Sequence, residues 1–147
     1  MCLDATQCPR RTAAQPPAED FFVLMTRRLA AEGGLIAEAA LRDQWQQRGL
    51  QPYELDDLLS DVRLRGFTQG TQRWLPAFQF HADGCTPRAD VALVADELAG
   101  GMDSTEILAW FACRNAALDG ETPIARLRTG LPAVLNAARL DRFIGSA

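Results

Sequence analysis

The sequence predicts a mainly α-helical protein with one short β segment near its middle, and three observations carry that prediction. Apolar residues recur at helical spacing over most of the chain. The period changes to two between Phe67 and Phe80. Gly and Pro stand where these patterns stop. The expected layout is an arm at 1–18, a helix-turn-helix or winged-helix-like module at 19–80, and a C-terminal bundle of short helices at 81–147. With 147 residues, 48% of them hydrophobic and 23% charged, the chain is long enough to bury one core or two small ones.

The arm is rich in Pro, Thr, Gln and Arg and has no apolar period, so it is expected to be disordered. Glu19 and Asp20 open a helix with Phe22, Met25 and Leu29 on one face, closed by Gly33-Gly34. A second helix is expected from about Ala37 to Arg48, with Ala40, Leu41 and Trp45 inward. Pro52 starts a third, whose stripe is Leu55, Leu58, Leu59 and Val62 and whose end is Gly66. From Phe67 to Phe80, the residues Trp74, Pro76, Phe78 and Phe80 share one parity, with Gly66 and Gly70 bracketing turns. His81 to Pro87 reads as a polar connector. A helix from about Arg88 to Ala99 then carries Val91, Val94 and Leu98, and Gly100-Gly101 ends it.

Three helices followed by a β segment is the order of a winged helix, and the second and third helices have helix-turn-helix proportions. In that arrangement the third helix reads DNA. It would offer Tyr53, Arg63 and Arg65, and the turn after it Gln69, Thr71, Gln72 and Arg73, groups able to contact phosphates and base edges. The same helix carries Glu54, Asp56, Asp57 and Asp61, and the chain has a formal charge of −4 with arginine as its only basic residue besides His81. A plain charged outer face therefore stands beside the DNA-reading one, because like charges oppose a polyanion.

The last third is the most strongly punctuated part. Asp103 and Glu106 have capping-box spacing ahead of Ile107, Leu108, Trp110 and Phe111. Asp119-Gly120 makes a turn, Thr122 and Pro123 restart a helix, and Gly130 and Pro132 repeat that stop and start. The closing helix carries Val134, Leu135 and Ala138, then Leu140, Phe143 and Ile144. The ordered positions Trp110, Asn115, Leu118, Gly120, Pro123, Ile124, Leu127, Gly130 and Val134, with Pro76-Ala77-Phe78-Gln79-Phe80 and Asp83-Gly84 upstream, resemble the C-terminal toxin-binding domain of Xre/MbcA/ParS-type antitoxins.

That resemblance implies a cognate toxin as partner, often a RES-type enzyme that degrades NAD, and a complex that represses its own operon by binding operator DNA. A homodimer is the expected assembly for a protein that reads paired half-sites. Trp110 and Phe111 have two readings, as core anchors or as part of a partner surface, since interface hot spots favour tryptophan and arginine. In the second, Trp110, Arg114, Asn115, Arg126 and Arg128 meet the partner, and Arg139 and Arg142 accompany a tail, Asp141 to Ala147, that enters a nucleotide cavity.

Chemistry of other kinds finds little footing. His81 is the single histidine, and with Cys85 it makes only an H-x3-C pair without a second ligand pair, so a surface turn is expected and no metal. No Gly-rich phosphate loop is present, and Asp56-Asp57 and Asp96-Glu97 read as solvated charge. No catalytic residue and no cofactor are expected. The four cysteines form no framework and are expected to be reduced. The apolar run Phe21 to Met25 is far short of the ~20 residues of a membrane span, and no apolar core follows Arg10-Arg11, so a cytoplasmic protein with no membrane partner is expected. The competing functions are an adaptor or dimerisation module that binds no DNA and has lost its toxin, and a small redox or metal protein using the cysteines.

Overall fold

Helices dominate the computed structural model of the chain, which describes residues 18–60 and 64–146. Two compact units divide in sequence between Arg88 and Ala89. Except for Ala18, the expected arm lies outside the described residues. So do Arg63, Val62 and the side chains of Phe143 and Ile144.

In the first unit, α1 (Ala18–Arg28) buries Phe21, Met25 and Leu29 and leads through a 3-10 turn (Ala30–Glu32) to Gly33, whose φ is +94°. Phe22, expected on the buried stripe, is half-buried at its edge. Strand β1 (Leu35–Ala37) follows, then α2 (Glu38–Gln47), α3 (Pro52–Ser60), β2 (Phe67–Gln69), β3 (Gln72–Pro76) and a 3-10 turn (Ala77–Gln79). Leu41 and Trp45, one turn apart on α2, point inward, while Ala40, roughly 100° away around the helix, is exposed rather than buried.

The sheet is antiparallel in the order β1-β3-β2, so β3 is central. One face pairs Phe67 with Trp74, and against these pack the rings of α1: Phe21 to Phe67 at 4.9 Å and Phe22 to Trp74 at 5.0 Å. The other face pairs Ile36 with Leu75, which join Leu41, Trp45, Leu55, Leu64 and Phe80 in the core. A strand covered on both faces buries both parities. Leu75, on the opposite parity to Trp74, Pro76, Phe78 and Phe80, is accordingly fully buried.

Gly66 is required by this packing. A Cβ there would stand 2.7 Å from the carbonyl oxygen of Trp74, and that oxygen belongs to the central strand. Gly66→Ala is expected to cost about 2 kcal/mol, the usual cost of overpacking a backbone that has to shift. Urea denaturation would measure it.

Gln79 is buried, and its side-chain amide behaves as a short length of strand: Oε1 accepts from Arg65 N at 2.8 Å, and Nε2 donates to Arg65 O at 2.8 Å. The residues after it fold back. Arg88 N donates to Gln79 O at 2.7 Å, and Phe80 bridges Pro87. The stretch read as a connector thus belongs to the first unit. Asp83 shapes its turn by accepting from Thr86 Oγ1 and from the N–H groups of Thr86 and Cys85. Those bonds, the Thr86 hydroxyl first, hold its carboxyl at about 2, well below the usual range.

The second unit contains α4 (Ala89–Leu98), α5 (Ser104–Ala112), a 3-10 turn (Ala116–Leu118), α6 (Pro123–Arg126) and α7 (Leu131–Ser146). The expected capping box forms: Glu106 N donates to Asp103 Oδ1 at 2.8 Å, and Asp103 N to Glu106 Oε1 at 2.9 Å. Thr122 caps α6 by accepting from Ala125 N at 3.2 Å, and Pro123 occupies the first turn. Asp119 and Gly120 turn the chain with φ of +58° and +82°. Ile107, Leu108, Phe111, Leu118, Ile124, Val134 and Ala138 are buried. Helix α4 packs along α7, and Gly100-Gly101, read as a helix stop, also admits α7: a Cβ on Gly101 would lie 3.3 Å from the Arg142 carbonyl oxygen.

Candidate functional site

The residues expected to meet a partner are spread from α5 to α7, and a half-buried carboxylate of α7 joins two of them. Asp141 of α7 accepts two bonds on Oδ2, from Trp110 Nε1 at 2.6 Å and from Asn115 Nδ2 at 3.1 Å. Trp110 is 8% exposed and meets Phe111 edge to face at 5.5 Å. Of its two readings the core one describes where it sits. Asn115 is engaged throughout: Oδ1 accepts from Ala117 N at 2.9 Å, its N–H donates to Glu121 O at 3.0 Å, and its carbonyl accepts from Leu118 and Gly120.

The arginines divide into three groups. Arg126 Nη1 closes the turn, with Leu118 O at 3.4 Å, Glu121 Oε1 at 3.3 Å and Asp119 Oδ2 at 3.8 Å. Arg139 Nε and Arg142 Nη1 share Glu97 of α4, at 3.4 Å and 2.9 Å. Both stay substantially exposed, so that pair is a surface one of modest stabilising value. Arg114 and Arg128 are exposed. Leu93 and Leu140 add apolar surface, at 52% and 55% exposure. Trp110, Asn115 and Arg126 are thus each engaged within the unit, and Asp141, expected to lead an inserted tail, accepts two of those bonds.

Asp141 and Glu97 escaped sequence reasoning. A signal for Asp141 existed: with Val134 and Ala138 it falls at i, i+4 and i+7, which puts a carboxylate on the buried stripe of a helix.

On the first unit, Tyr53 is 62% exposed on the first turn of α3. Arg65, expected to contact DNA, is instead 6% exposed, because Gln79 pins its backbone beneath the surface. Gln69 is half-buried, and Thr71, Gln72 and Arg73 are exposed around the β2–β3 hairpin. Arg73 Nε stands 3.7 Å from Glu38 Oε1. Among the described side chains of α3, Tyr53, Asp56, Asp57 and Ser60 are exposed. Arg42 Nη2 bridges Asp56 Oδ1 at 2.5 Å and Glu38 Oε2 at 3.0 Å, so the cation beside α3 is already shared by two acids.

Cys85 is a free thiol, with Arg48 Nη1 donating to its sulfur at 2.9 Å and also to Asp83 O. Cys113, buried at the end of α5, is disulfide-bonded, so the reduced state expected of the cysteines does not hold there. Cys2 and Cys8 lie outside the described residues. Among the described residues no group of three His, Cys, Asp or Glu side chains is placed to hold a metal ion, and no helix is long and apolar enough to cross a membrane. Comparison with protein-family models, with curated proteins and with solved structures yields no match.

Proposed function

We propose that the chain binds and inhibits another protein through its second unit, as an antitoxin binds its cognate toxin. The observation that carries this reading is how the residues resembling the Xre/MbcA/ParS toxin-binding domain combine. Leu118, Ile124, Leu127 and Val134 are buried, Gly120 supplies a left-handed turn, Pro123 starts α6, and Trp110 and Asn115 meet on Asp141. Such a motif holds a shape. Inhibition by coverage needs complementary shape and an excluded substrate, not a reacting group. By the resemblance, the partner is a RES-type toxin that degrades NAD.

Arg114 and Arg128 are the exposed arginines of this stretch that the reading assigns to the partner. Co-expression with the product of the neighbouring gene tests it. The two proteins are expected to co-elute, and cellular NAD to be preserved. Arg114→Glu combined with Arg128→Glu is expected to weaken the complex about tenfold or more, and Arg114→Glu alone to weaken it without changing the melting temperature. A neighbour that neither co-elutes nor depletes NAD when expressed alone would remove the support for this reading.

Operator binding by a homodimer belongs to the same reading. In its favour, β1 precedes the helix pair α2–α3 and returns to pair with β3, an order compatible with a winged helix. The acidic solvent face of α3 favours the second reading, an adaptor or dimerisation module that binds no DNA.

A further inference from the structure

We infer that the β2–β3 hairpin, and not α3, is the element of the first unit that reads base edges. This rests on the operator-binding part of the function proposed above and specifies its contact surface. Charge is the first argument. Residues 18–88 hold eight arginines against ten acids, and one of those arginines, Arg65, is buried. Laid against DNA, α3 would bring Asp56 and Asp57 to the phosphates, where carboxylates only repel. The hairpin differs: no acid occurs in the sequence between Asp61 and Asp83, although the chain carries 19, and the acid set against it is Glu38, 3.7 Å from Arg73.

The second argument is the chemistry and spacing at the tip. Gln69 and Gln72 are directly opposed in the register, so both side chains leave the same face of the ribbon. They stand about 5 Å apart, comparable to the ~3.4 Å between successive base pairs. A glutamine amide pairs in bidentate fashion with adenine N6 and N7, and an arginine with guanine O6 and N7. Thr68 and Arg73, exposed and opposed one rung back, place a hydroxyl and a guanidinium on the other face.

The third argument is rigidity and fit. Gly70 at φ +68° and Thr71 form a two-residue turn that locks the register. A two-stranded ribbon fits the major groove, roughly 12 Å wide. With so few free cations, binding gains little from counterion release, so its salt dependence should be shallow.

The test is a gel shift of the full chain on a labelled duplex spanning the region upstream of its own gene, at about 0.1 M salt, with an unrelated duplex of equal length as competitor. Gln69→Ala and Gln72→Ala are each expected to lower discrimination between the duplexes about tenfold. Gln72→Glu, which preserves size, should lower it at least as much, whereas Tyr53→Ala and Asp57→Asn should leave it unchanged. If the α3 variants abolish discrimination and the hairpin variants do not, α3 is the reader: the inference falls and operator binding stands. If the unaltered chain does not discriminate at all, operator binding falls and the inference with it.

Discussion

Asp141→Ala is expected to destabilise the second unit by about 3 kcal/mol, a large effect for a half-buried polar residue near the end of a helix. Two donors depend on one oxygen: Trp110 Nε1, on a ring that is 8% exposed, and Asn115 Nδ2, on a side chain that also caps the following 3-10 turn. Hydrogen bonds to charged groups contribute about 1.5–3 kcal/mol each, and a buried donor left without an acceptor costs its full desolvation. The partial exposure of Asp141 puts the sum near the lower end. Asp141→Asn keeps an acceptor oxygen but loses the charge, and is expected to cost about 1 kcal/mol. Trp110→Phe removes the N–H while retaining an aromatic ring and should fall between them. Urea unfolding followed by far-UV circular dichroism would give all three values. An Asp141→Ala variant as stable as the parent would mean that these bonds do not hold α5 and α7 together. Because Asp141→Ala acts through the fold, any weakening of the partner complex that it causes is indirect. The exposed Arg114 is the cleaner probe of the surface.

What was legible in the sequence was what is local. The Asp103–Glu106 box, the Thr122-Pro123 restart and the Asp119-Gly120 turn each depend on residues within three positions of one another, and each forms as expected. The inward faces of α1, α2 and α3 were also readable, in Met25, Leu41, Trp45 and Leu55, since helical period is a short-range signal. Non-local pairing was not readable. Strand β1 has three residues, too few for a period, and exists because Leu35, Ile36 and Ala37 meet β3 about forty positions later. The burial of Leu75 follows from β3 being central, which no window around it reveals. The proposed partner surface shows the same division. Sequence marks arginines as suited to an interface, but which ones remain available depends on where distant carboxylates come to rest. Glu97 engages Arg139 and Arg142 from 42 and 45 positions away, and Gln79 fixes the buried Arg65 from 14.

Phe111→Ala should have the largest effect of any substitution considered, a loss of about 4 kcal/mol. Phe111 is 1% exposed on α5, between the buried Trp110 and Ala112 in sequence, and its ring meets that of Trp110 at 83°. The cost combines the lost transfer energy of the ring, the cavity left behind, and the edge-to-face contact, itself about 0.5–1.5 kcal/mol. A unit of about 60 residues has roughly 3–9 kcal/mol of stability in all, so this one change removes most or all of it. Phe111→Leu conserves most of the volume and should cost less than about 1.5 kcal/mol. Together the variants separate core from contact for the adjacent aromatics. If Phe111 serves only the core, the Leu variant keeps both its thermal transition and its affinity for the partner, while the Ala variant loses both. A Leu variant that unfolds normally but no longer binds the partner would show that the ring itself is touched in the complex. The unit would then have to open around α5 on binding, since nothing on its surface otherwise reaches a side chain so completely enclosed.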